Sequence, residues 1–288
     1  MKPAPFAYAV ASSVDEAIHT LQQYGPDARP LAGGQSLIPA MNMRLARPAY
    51  LVDINRVAEL RYIRETPDGL AIGALTRHRQ VERSEVVQRA NPLLQEAARQ
   101  IGHFQIRTRG TIGGSLAHND PNAEYVVVAR LLEAEIVATG PGGQRVIPAR
   151  DFFVGYLATT LAPDELITEV RIPRLNGKGA AFVKLARRHG DFAMISAAAT
   201  MELNPDGTIK DARVALGNVG GGIPYLAAID MTGQSPTPDL LADIALGIAS
   251  NVQPDPDGTV DVSYKKHLAG VVARRAMETA LARAKGEI

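Results

Sequence analysis

Two short segments of the sequence each contain a pair of adjacent glycines followed by a hydroxyl side chain. They are Ala32-Gly33-Gly34-Gln35-Ser36, after a strand-like run, and Thr111-Ile112-Gly113-Gly114-Ser115. Glycine permits a positive φ and a close approach of the backbone to a ligand, because no Cβ intervenes. Successive N–H groups in such turns form an anion-binding concavity, to which hydroxyl groups add donors. Two such loops could clamp a pyrophosphate, with positive φ at Gly34 and Gly113 and both loops at the surface of a cleft. One pair alone is also typical of an ordinary turn.

Other sequence motifs for nucleotide binding or hydrolysis are absent. No G-x-G-x-x-G follows a strand and opens a helix, and the glycines within residues 217–222 have a different spacing. The Walker lysine pattern, H-E-x-x-H and the G-x-S-x-G elbow are missing as well. A Rossmann dehydrogenase is therefore disfavoured, and no catalytic or metal-ligating residue is predicted.

The composition excludes several classes of protein. The 31 Lys and Arg residues balance 30 Asp and Glu residues, so the chain lacks the basic excess typical of nucleic-acid binding. The absence of cysteine excludes disulfides, cysteine-ligated iron–sulfur clusters and thiolate nucleophiles within this chain. The first residues lack the apolar region of a secretory signal, and no apolar run could span a bilayer. We therefore expect a cytoplasmic protein without a transmembrane segment.

Residue patterns before residue 176 predict an α+β arrangement. Ser13 and Glu16 have the spacing of a capping box, which predicts a helix over 13–24. The other predicted elements are strands over 29–32 and 50–54, a hairpin over 62–73, helices over 92–101 and 123–132, and a strand over 135–139.

The pattern changes at Asn176-Gly177-Lys178-Gly179, the best candidate for a linker. Beyond it we predict strands over 181–186, 196–203 and 213–218, and helices over 238–248 and 265–285. The last helix should bury Leu268, Val272, Ala276, Ala280 and Leu281. A chain of 288 residues suits two domains, here 1–176 and 177–288, the second with a three-stranded antiparallel sheet and helices.

Several longer strings together resemble the medium, FAD-binding subunit of molybdenum hydroxylases. They are PLAGGQSLIPAMNMRLARPAYLVDIN, IGALTRH, QIRTRGTIGGSLAHNDPNAE, KLARRHGDFA and the closing YKKHLAGVVARRAMETALARA. The resemblance covers essentially the whole chain and is strongest to carbon monoxide dehydrogenase medium subunits and bacterial N-heterocycle dehydrogenases. It implies a vanillyl-alcohol-oxidase (PCMH)-type FAD fold, with two α/β subdomains of about 1–57 and 58–176 and a C-terminal domain.

The resemblance also implies which residues bind FAD. The adenine side and the pyrophosphate would be held by Arg29, Pro30, Leu31, Ala32, Gly33, Gly34, Gln35 and Ser36. The other side of the pyrophosphate would be held by Thr111, Ile112, Gly113, Gly114 and Ser115. Glu124, where the family commonly has Asp, would accept hydrogen bonds from FAD hydroxyls. Ile101 would lie against the flavin ring, and Phe192 would stand where a Tyr often lies near the isoalloxazine. Further contacts are implied for Lys184 and the backbone of Ile167.

In the resembled family, the organic substrate is oxidised on a different chain. A large subunit with a molybdopterin centre hydroxylates the substrate, and electrons pass through [2Fe–2S] clusters of a small subunit to FAD in the medium subunit. An external acceptor then takes the electrons. Because this chain has no cysteine, its clusters must come from a partner. We expect a small iron–sulfur subunit and a large molybdopterin subunit, assembled as a dimer of heterotrimers.

Two other functions remain open at this point. One is a self-sufficient FAD-dependent oxidoreductase of the same fold. The other is a nucleotide-binding module without redox activity. A visible spectrum would separate the second from both flavoprotein hypotheses, and co-purification with partner chains would separate the first from an electron-transfer subunit.

Overall fold

The computed structural model describes residues 1–256 and 260–288 of the chain. The strands are β1 (Ala7–Val10), β2 (Ala28–Leu31), β3 (Tyr50–Asp53), β4 (Ile63–Thr66), β5 (Gly69–Gly73), β6 (Glu135–Gly140), β7 (Gly143–Pro148), β8 (Phe153–Gly155), β9 (Ala158–Thr159), β10 (Leu166–Pro173), β11 (Gly179–Leu185), β12 (Ile195–Leu203), β13 (Ile209–Gly217) and β14 (Tyr225–Leu226). The helices are α1 (Val14–Tyr24), α2 (Leu37–Asn42), α3 (His78–Arg83), α4 (Glu85–Ala90), α5 (Pro92–Gln100), α6 (Phe104–Arg109), α7 (Ile112–His118), α8 (Glu124–Leu131), α9 (Ala149–Phe152), α10 (Pro238–Asn251) and α11 (Val262–Ala284).

The first sheet is parallel and has the strand order β1-β3-β2. Helix α1 begins as predicted, because the Ser13 hydroxyl accepts a hydrogen bond from the N–H of Glu16 at 3.1 Å. Its apolar side buries Ile18 and Leu21 in a core that also contains Val52 of β3. This sheet presents the segment after β2, which carries the first glycine pair.

The second sheet is antiparallel, with the order β4-β5-β10-β6-β7. Its central strand, β10, was not predicted, although Val170 and Ile172 are buried while Arg171 and Pro173 are exposed. That alternation is the period-two pattern of a strand with one covered face. β10 joins the predicted hairpin β4–β5 to β6, so it holds this sheet together.

The third sheet has the order β11-β12-β13-β14 and is packed against α10 and α11. The three predicted strands are present, and the two-residue β14 extends the sheet beyond the prediction. β13 also begins at Ile209, before the predicted 213, because the turn after β12 is a tight one in which the N–H of Asn204 bonds the Thr208 carbonyl at 2.8 Å. The five residues predicted to be buried on α11 are all buried.

Helix α8 lies between the second and third sheets. Val126, Val127 and Val128 have no exposed surface, because the helix contacts α5 on one side and β12 and β13 on the other. A helix that is apolar all round has to be enclosed in this way. Its first residue, Glu124, is therefore held at the junction of the two sheets.

Two features are absent from the described residues. Within residues 1–256 and 260–288, no helix is both long and apolar enough to cross a membrane. In the same ranges, no three His, Asp or Glu side chains are grouped so that they could hold a metal ion.

Candidate functional site

The two glycine loops are in direct backbone contact. A Cβ built on Gly33 would lie 2.5 Å from the Arg109 carbonyl oxygen and 2.7 Å from the Gly110 Cα. Neither neighbour is the flexible end of a side chain, so only glycine permits this approach. A Cβ added on Gly114 would lie 3.9 Å from the Cβ of Ala32. The loops are therefore brought together, as the sequence predicted.

The first loop is preorganised to bind an anion. Gly34 has φ +72°, as predicted, in the left-handed region that favours glycine. Throughout the described residues, no acceptor is found for the N–H groups of Gly33, Gly34, Gln35 and Ser36. All four residues precede α2, and the Gln35 side chain turns back to bond the Gly33 carbonyl at 3.0 Å. Consecutive free N–H groups of this kind form a concavity for a phosphate.

The second loop has a different construction. The Thr111 hydroxyl caps α7 by accepting the N–H of Gly114 at 3.1 Å. The N–H of Ile112 bonds the Thr76 carbonyl at 3.1 Å, and that of Gly113 bonds the Ala74 carbonyl at 3.0 Å. These donors are therefore already used. The second loop presents the half-buried Gly114 and Ser115 at the start of a helix, where the backbone dipole favours negative charge.

The prediction of positive φ and surface exposure at Gly113 is wrong. Gly113 is a buried helical residue, and a Cβ on it would lie 2.6 Å from that of Ala74. The glycine is needed because α7 packs tightly on the segment after β5. Its role in this structure is packing.

The predicted adenine-side residues lie along β2 and its end. Arg29, Pro30 and Leu31 pair with β3, and the Arg29 guanidinium bonds the Pro26 carbonyl at 2.7 Å and the Ala28 carbonyl at 2.8 Å. Ile167 is distant in sequence from the second loop but lies close to it in the fold. It is buried in β10, and the carbonyl of the next residue, Thr168, accepts the N–H of Ala74. The Ala74 carbonyl in turn accepts the N–H of Gly113 in the second loop.

Glu124 and Lys184 form a buried ion pair. The Lys184 Nζ lies 2.7 Å from Glu124 Oε1 and also donates to the Gln100 carbonyl at 3.0 Å. Burial raises the pKa of the Glu124 carboxyl, and the Lys184 ammonium opposes that rise. Both residues were predicted to bind the cofactor, but their pairing was not, because they lie 60 positions apart in the sequence.

A third group of residues lines a cavity beside this ion pair. The cavity, about 180 Å³ in volume, is lined by Gln100, Lys184, Ala186, Arg188, His189 and Gly190. Gly190 lies against the His103 ring, since a Cβ there would be 2.2 Å from it. Ile101 is buried at the end of α5, whereas Phe192 is 67% exposed. An exposed aromatic ring near a polar cavity is suited to stacking on a planar ligand.

Along the chain, α7 lies between the second glycine loop and Glu124. Its seven helical residues span about 10 Å. A ligand that contacted both ends of this helix would therefore have to be extended. This fits a dinucleotide better than a compact metabolite.

Two residues that the sequence analysis did not single out, Asn55 and Arg77, link the loops. The Asn55 amide donates to the Ala32 carbonyl at 2.7 Å, and Arg77 donates to Asn55 Oδ1 at 2.6 Å and to the Arg109 carbonyl. Asn55 lies two residues after the end of β3, where polar side chains often reach neighbouring loops, and that position could have drawn attention to it. No sequence signal places Arg77 beside it.

The family comparison agrees with this geometry. The profile of the FAD binding domain in molybdopterin dehydrogenase matches residues 4–175, and that of the CO dehydrogenase flavoprotein C-terminal domain matches residues 180–280. The chain belongs to this flavoprotein family. This confirms the resemblance found in the sequence. The chain is of the type that forms the FAD-binding subunit of an oxidoreductase.

Individual relatives match over almost their whole length. The chain is 42% identical to the 6-hydroxypseudooxynicotine dehydrogenase complex subunit alpha of Paenarthrobacter nicotinovorans, covering 99% of this chain and 97% of that one. It is 40% identical to the carbon monoxide dehydrogenase medium chain of Hydrogenophaga pseudoflava, covering 98% and 99%. A solved carbon monoxide dehydrogenase from the same organism superposes with TM-score 0.95 at 39% identity, covering 98% and 99%. The predicted PCMH-type fold is therefore confirmed.

Proposed function

We propose that the chain binds FAD non-covalently and acts as the electron-transfer subunit of a heteromeric molybdenum hydroxylase. The observation that supports this most directly is the row of free N–H groups from Gly33 to Ser36, placed against the start of α7. A dianionic pyrophosphate would give those donors acceptors. The absence of cysteine removes one route of covalent flavin attachment.

The remaining predicted residues have roles along the extended cofactor. The stretch from Arg29 to Ser36 holds the adenine side and the pyrophosphate, with Thr111 to Ser115 opposite and the Ile167 backbone behind them. Glu124 accepts hydrogen bonds from FAD hydroxyls through the oxygen that Lys184 leaves free. Ile101 and Phe192 flank the isoalloxazine. In this proposal, residues 1–176 hold FAD and residues 177–288 cover its flavin end.

Bound FAD supplies the redox chemistry, since it can take up and release electrons singly or in pairs. The chain itself orients the flavin, shields it from water on the side of the third sheet and fixes charges around it. Nothing in the described cavity resembles a separate site for an organic substrate. We assign oxidation of the organic substrate to another polypeptide because the relatives are named as a subunit of a dehydrogenase complex and as a medium chain.

The partners follow from the same division of labour. The relatives are named as a subunit of a dehydrogenase complex and as a medium chain, which supports membership in an assembly. Since this chain has no thiolate, [2Fe–2S] clusters must be held by a small subunit, and the molybdopterin centre by a large one. We propose a dimer of such heterotrimers in the cytoplasm, with electrons passing from the clusters to FAD and then to an external acceptor.

The first experiment tests cofactor identity. The purified chain should be yellow, and acid precipitation should release FAD into the supernatant while leaving a colourless pellet. A colourless chain that takes up no FAD would indicate the non-redox nucleotide-binding module. Release of FMN, or colour retained by the precipitated polypeptide, would also contradict the proposal.

The second experiment tests the route of the electrons. Dithionite should bleach the flavin of the isolated chain under anaerobic conditions, whereas the substrate of the complex should bleach it only when the small and large subunits are both present. Each subunit is omitted in turn as the control. Bleaching by substrate with this chain alone would instead indicate a self-sufficient oxidoreductase.

A further inference from the structure

A continuous hydrogen-bonded path connects the two glycine loops. It starts at the Ala32 carbonyl, which accepts from the Asn55 amide at 2.7 Å, and the Leu31 carbonyl accepts from the same amide at 3.3 Å. Asn55 Oδ1 in turn accepts from the Arg77 guanidinium at 2.6 Å. The other arm of that guanidinium donates to the Arg109 carbonyl, one residue before Gly110. The path therefore joins the residue before Gly33 to the segment that leads into Thr111.

The two ends of the path belong to different sheets. Asn55 is fixed to the first sheet, because its N–H and its amide bond Asp53 Oδ1, at the end of β3, at 2.8 and 2.7 Å. Arg77 is fixed to the second loop by its backbone, since it forms an antiparallel bridge with Thr111. The N–H of His78 bonds the Gly110 carbonyl at 3.0 Å in the same bridge. Any change in the separation of the loops must therefore stretch the contact between Arg77 and Asn55.

The charge of Arg77 is only partly compensated among the described residues. Both of its acceptors are uncharged oxygens, and among the described residues it has no carboxylate within ion-pair distance. Burial lowers the pKa of Arg77 and the charges of Arg61 and Arg109 lower it further, whereas the Asp53 carboxylate opposes this lowering. Partly buried guanidinium groups that crowd one another favour an incoming anion, because the anion compensates their mutual repulsion.

We infer that Arg77, held by Asn55, is a positioning residue that sets the spacing of the two glycine loops around the pyrophosphate and supplies part of its countercharge. This inference rests on the proposed function, since it assumes that the loops bind a pyrophosphate. It adds residues outside both glycine loops to the machinery that closes on the ligand. An arginine suits this position, because its planar guanidinium presents donors in a fixed fork to two carbonyl-type acceptors.

The test compares affinities for FAD and ADP in Arg77 and Asn55 variants of the purified, flavin-free chain. ADP is the second probe because it carries the adenosine and the pyrophosphate without the flavin. Arg77→Met should weaken both ligands by a similar factor, about tenfold to a hundredfold, from the loss of charged hydrogen bonds. Arg77→Lys keeps the charge but not the fork, so it should recover only a small part of that loss.

Asn55→Ala should weaken both ligands in the same way, and the double variant Asn55→Ala/Arg77→Met should be little worse than Arg77→Met alone. Such non-additivity is expected when two residues act through one shared contact. The matched control is Arg174→Met. Like Arg77, Arg174 is a partly buried arginine that bonds a carbonyl oxygen, and it also pairs with a carboxylate, but it lies after the end of β10. This variant should lower the melting temperature without changing either affinity.

The outcomes separate this inference from the proposed function. If the unmodified chain binds neither FAD nor ADP, the proposed function fails. If it binds both but Arg77→Met binds them equally well, only the positioning role fails. If Arg77→Lys binds both ligands as tightly as wild type, a positive charge alone is sufficient for binding. That result would overturn the role assigned to the two-armed guanidinium contact. A weakening of FAD without ADP would also overturn the inference, because the effect would then lie at the flavin end.

Discussion

Lys184 of β11 and Glu124 of α8 form an ion pair across the junction of the second and third sheets, with 2.7 Å between Nζ and Oε1. The side chains are only 6% and 7% exposed. The ammonium also bonds the Gln100 carbonyl at the end of α5, so one side chain ties the third sheet to two helices. Such a pair stabilises the arrangement only while both charges are present, because an isolated buried charge is costly.

The first prediction concerns the stability of this junction. Lys184→Met should destabilise the flavin-free chain by about 3–5 kcal/mol, because it leaves the Glu124 carboxylate buried without a partner. The double variant Lys184→Met/Glu124→Gln should recover much of the loss, since no charge then remains. Denaturant unfolding of the wild-type, single and double variants measures both steps. A double variant as unstable as the single one would contradict the explanation.

The pH dependence of the same pair gives a second check on that prediction. Burial already raises the pKa of Glu124 above its ordinary value of 4.5, and removal of Lys184 should raise it further. The folded state then holds the proton more tightly than the unfolded state, so stability falls as pH rises above 4.5. In Lys184→Met the decline should approach about 1.4 kcal/mol per pH unit. In the double variant, this contribution of Glu124 to the change of unfolding free energy with pH should disappear.

The second prediction concerns His78, which is buried beneath the second loop. Burial, with the charges of Arg77 and Arg107, lowers the pKa of His78 from 6.5 to about 3. The unfolded state therefore binds a proton between these values that the folded state does not, so stability falls as pH falls from 6.5 towards 3. Its contribution should be about 1.4 kcal/mol per pH unit.

His78→Leu should remove this contribution to the change of stability with pH, whatever its effect on stability at neutral pH. The measurement is the free energy of unfolding of the flavin-free chain at several pH values between 4 and 7, roughly the window in which only the unfolded histidine is charged. The matched control is His19→Gln, which replaces an exposed histidine of α1 instead of the buried one. An acid response that is the same in wild type and His78→Leu would show that other groups carry it.

Local patterns in the sequence were enough to predict most of the regular elements. The helix start at Ser13 and the apolar positions of α11 depend only on residues three to four apart, and both are confirmed. The second half of the predicted capping box is not formed, because the Glu16 carboxylate accepts from Ser12 and not from the Ser13 N–H. The glycine pairs also pointed to the region where two loops meet. β10 was missed because its period-two pattern is short and ends at a proline, but the signal was present.

The pairings between distant residues could not be predicted in the same way. Arg77 and Asn55 lie 22 positions apart, in segments outside the named strands, and Glu124 and Lys184 lie 60 apart. Nothing in either local sequence specifies its partner, because the contact is created by the packing of whole elements. The mistaken expectation at Gly113 has the same origin, since the residue that excludes a Cβ there is Ala74. Family resemblance identified Glu124 and Lys184 but not their contact.

The third prediction separates the roles of two glycines. Gly113→Ala should destabilise the flavin-free chain by about 1–3 kcal/mol, because its Cβ would overpack against Ala74. Gly34→Ala should act mainly on FAD affinity, because relief of its φ of +72° would turn the free N–H groups of the loop away from the ligand. Melting temperatures and FAD titrations of both variants are compared. The distinction is refuted if Gly113→Ala is as stable as wild type, or if Gly34→Ala binds FAD normally.

The fourth prediction concerns Phe192, which is 67% exposed. Phe192→Ala should change the stability of that chain by less than about 0.5 kcal/mol, since little buried contact is lost. If the ring flanks the isoalloxazine, FAD affinity should fall roughly twofold to tenfold through loss of an aromatic contact. Affinity for ADP should not change, because ADP has no flavin.

Two further variants make the Phe192 experiment specific. Phe192→Tyr keeps the aromatic ring and should retain FAD affinity. Leu246→Ala removes a side chain of similar exposure, 66%, from α10, and should affect neither ligand. Equal FAD affinity in wild type and Phe192→Ala would place the flavin ring elsewhere. A parallel loss of ADP affinity would mean that the substitution disturbs the glycine loops, and would argue against direct contact with the flavin.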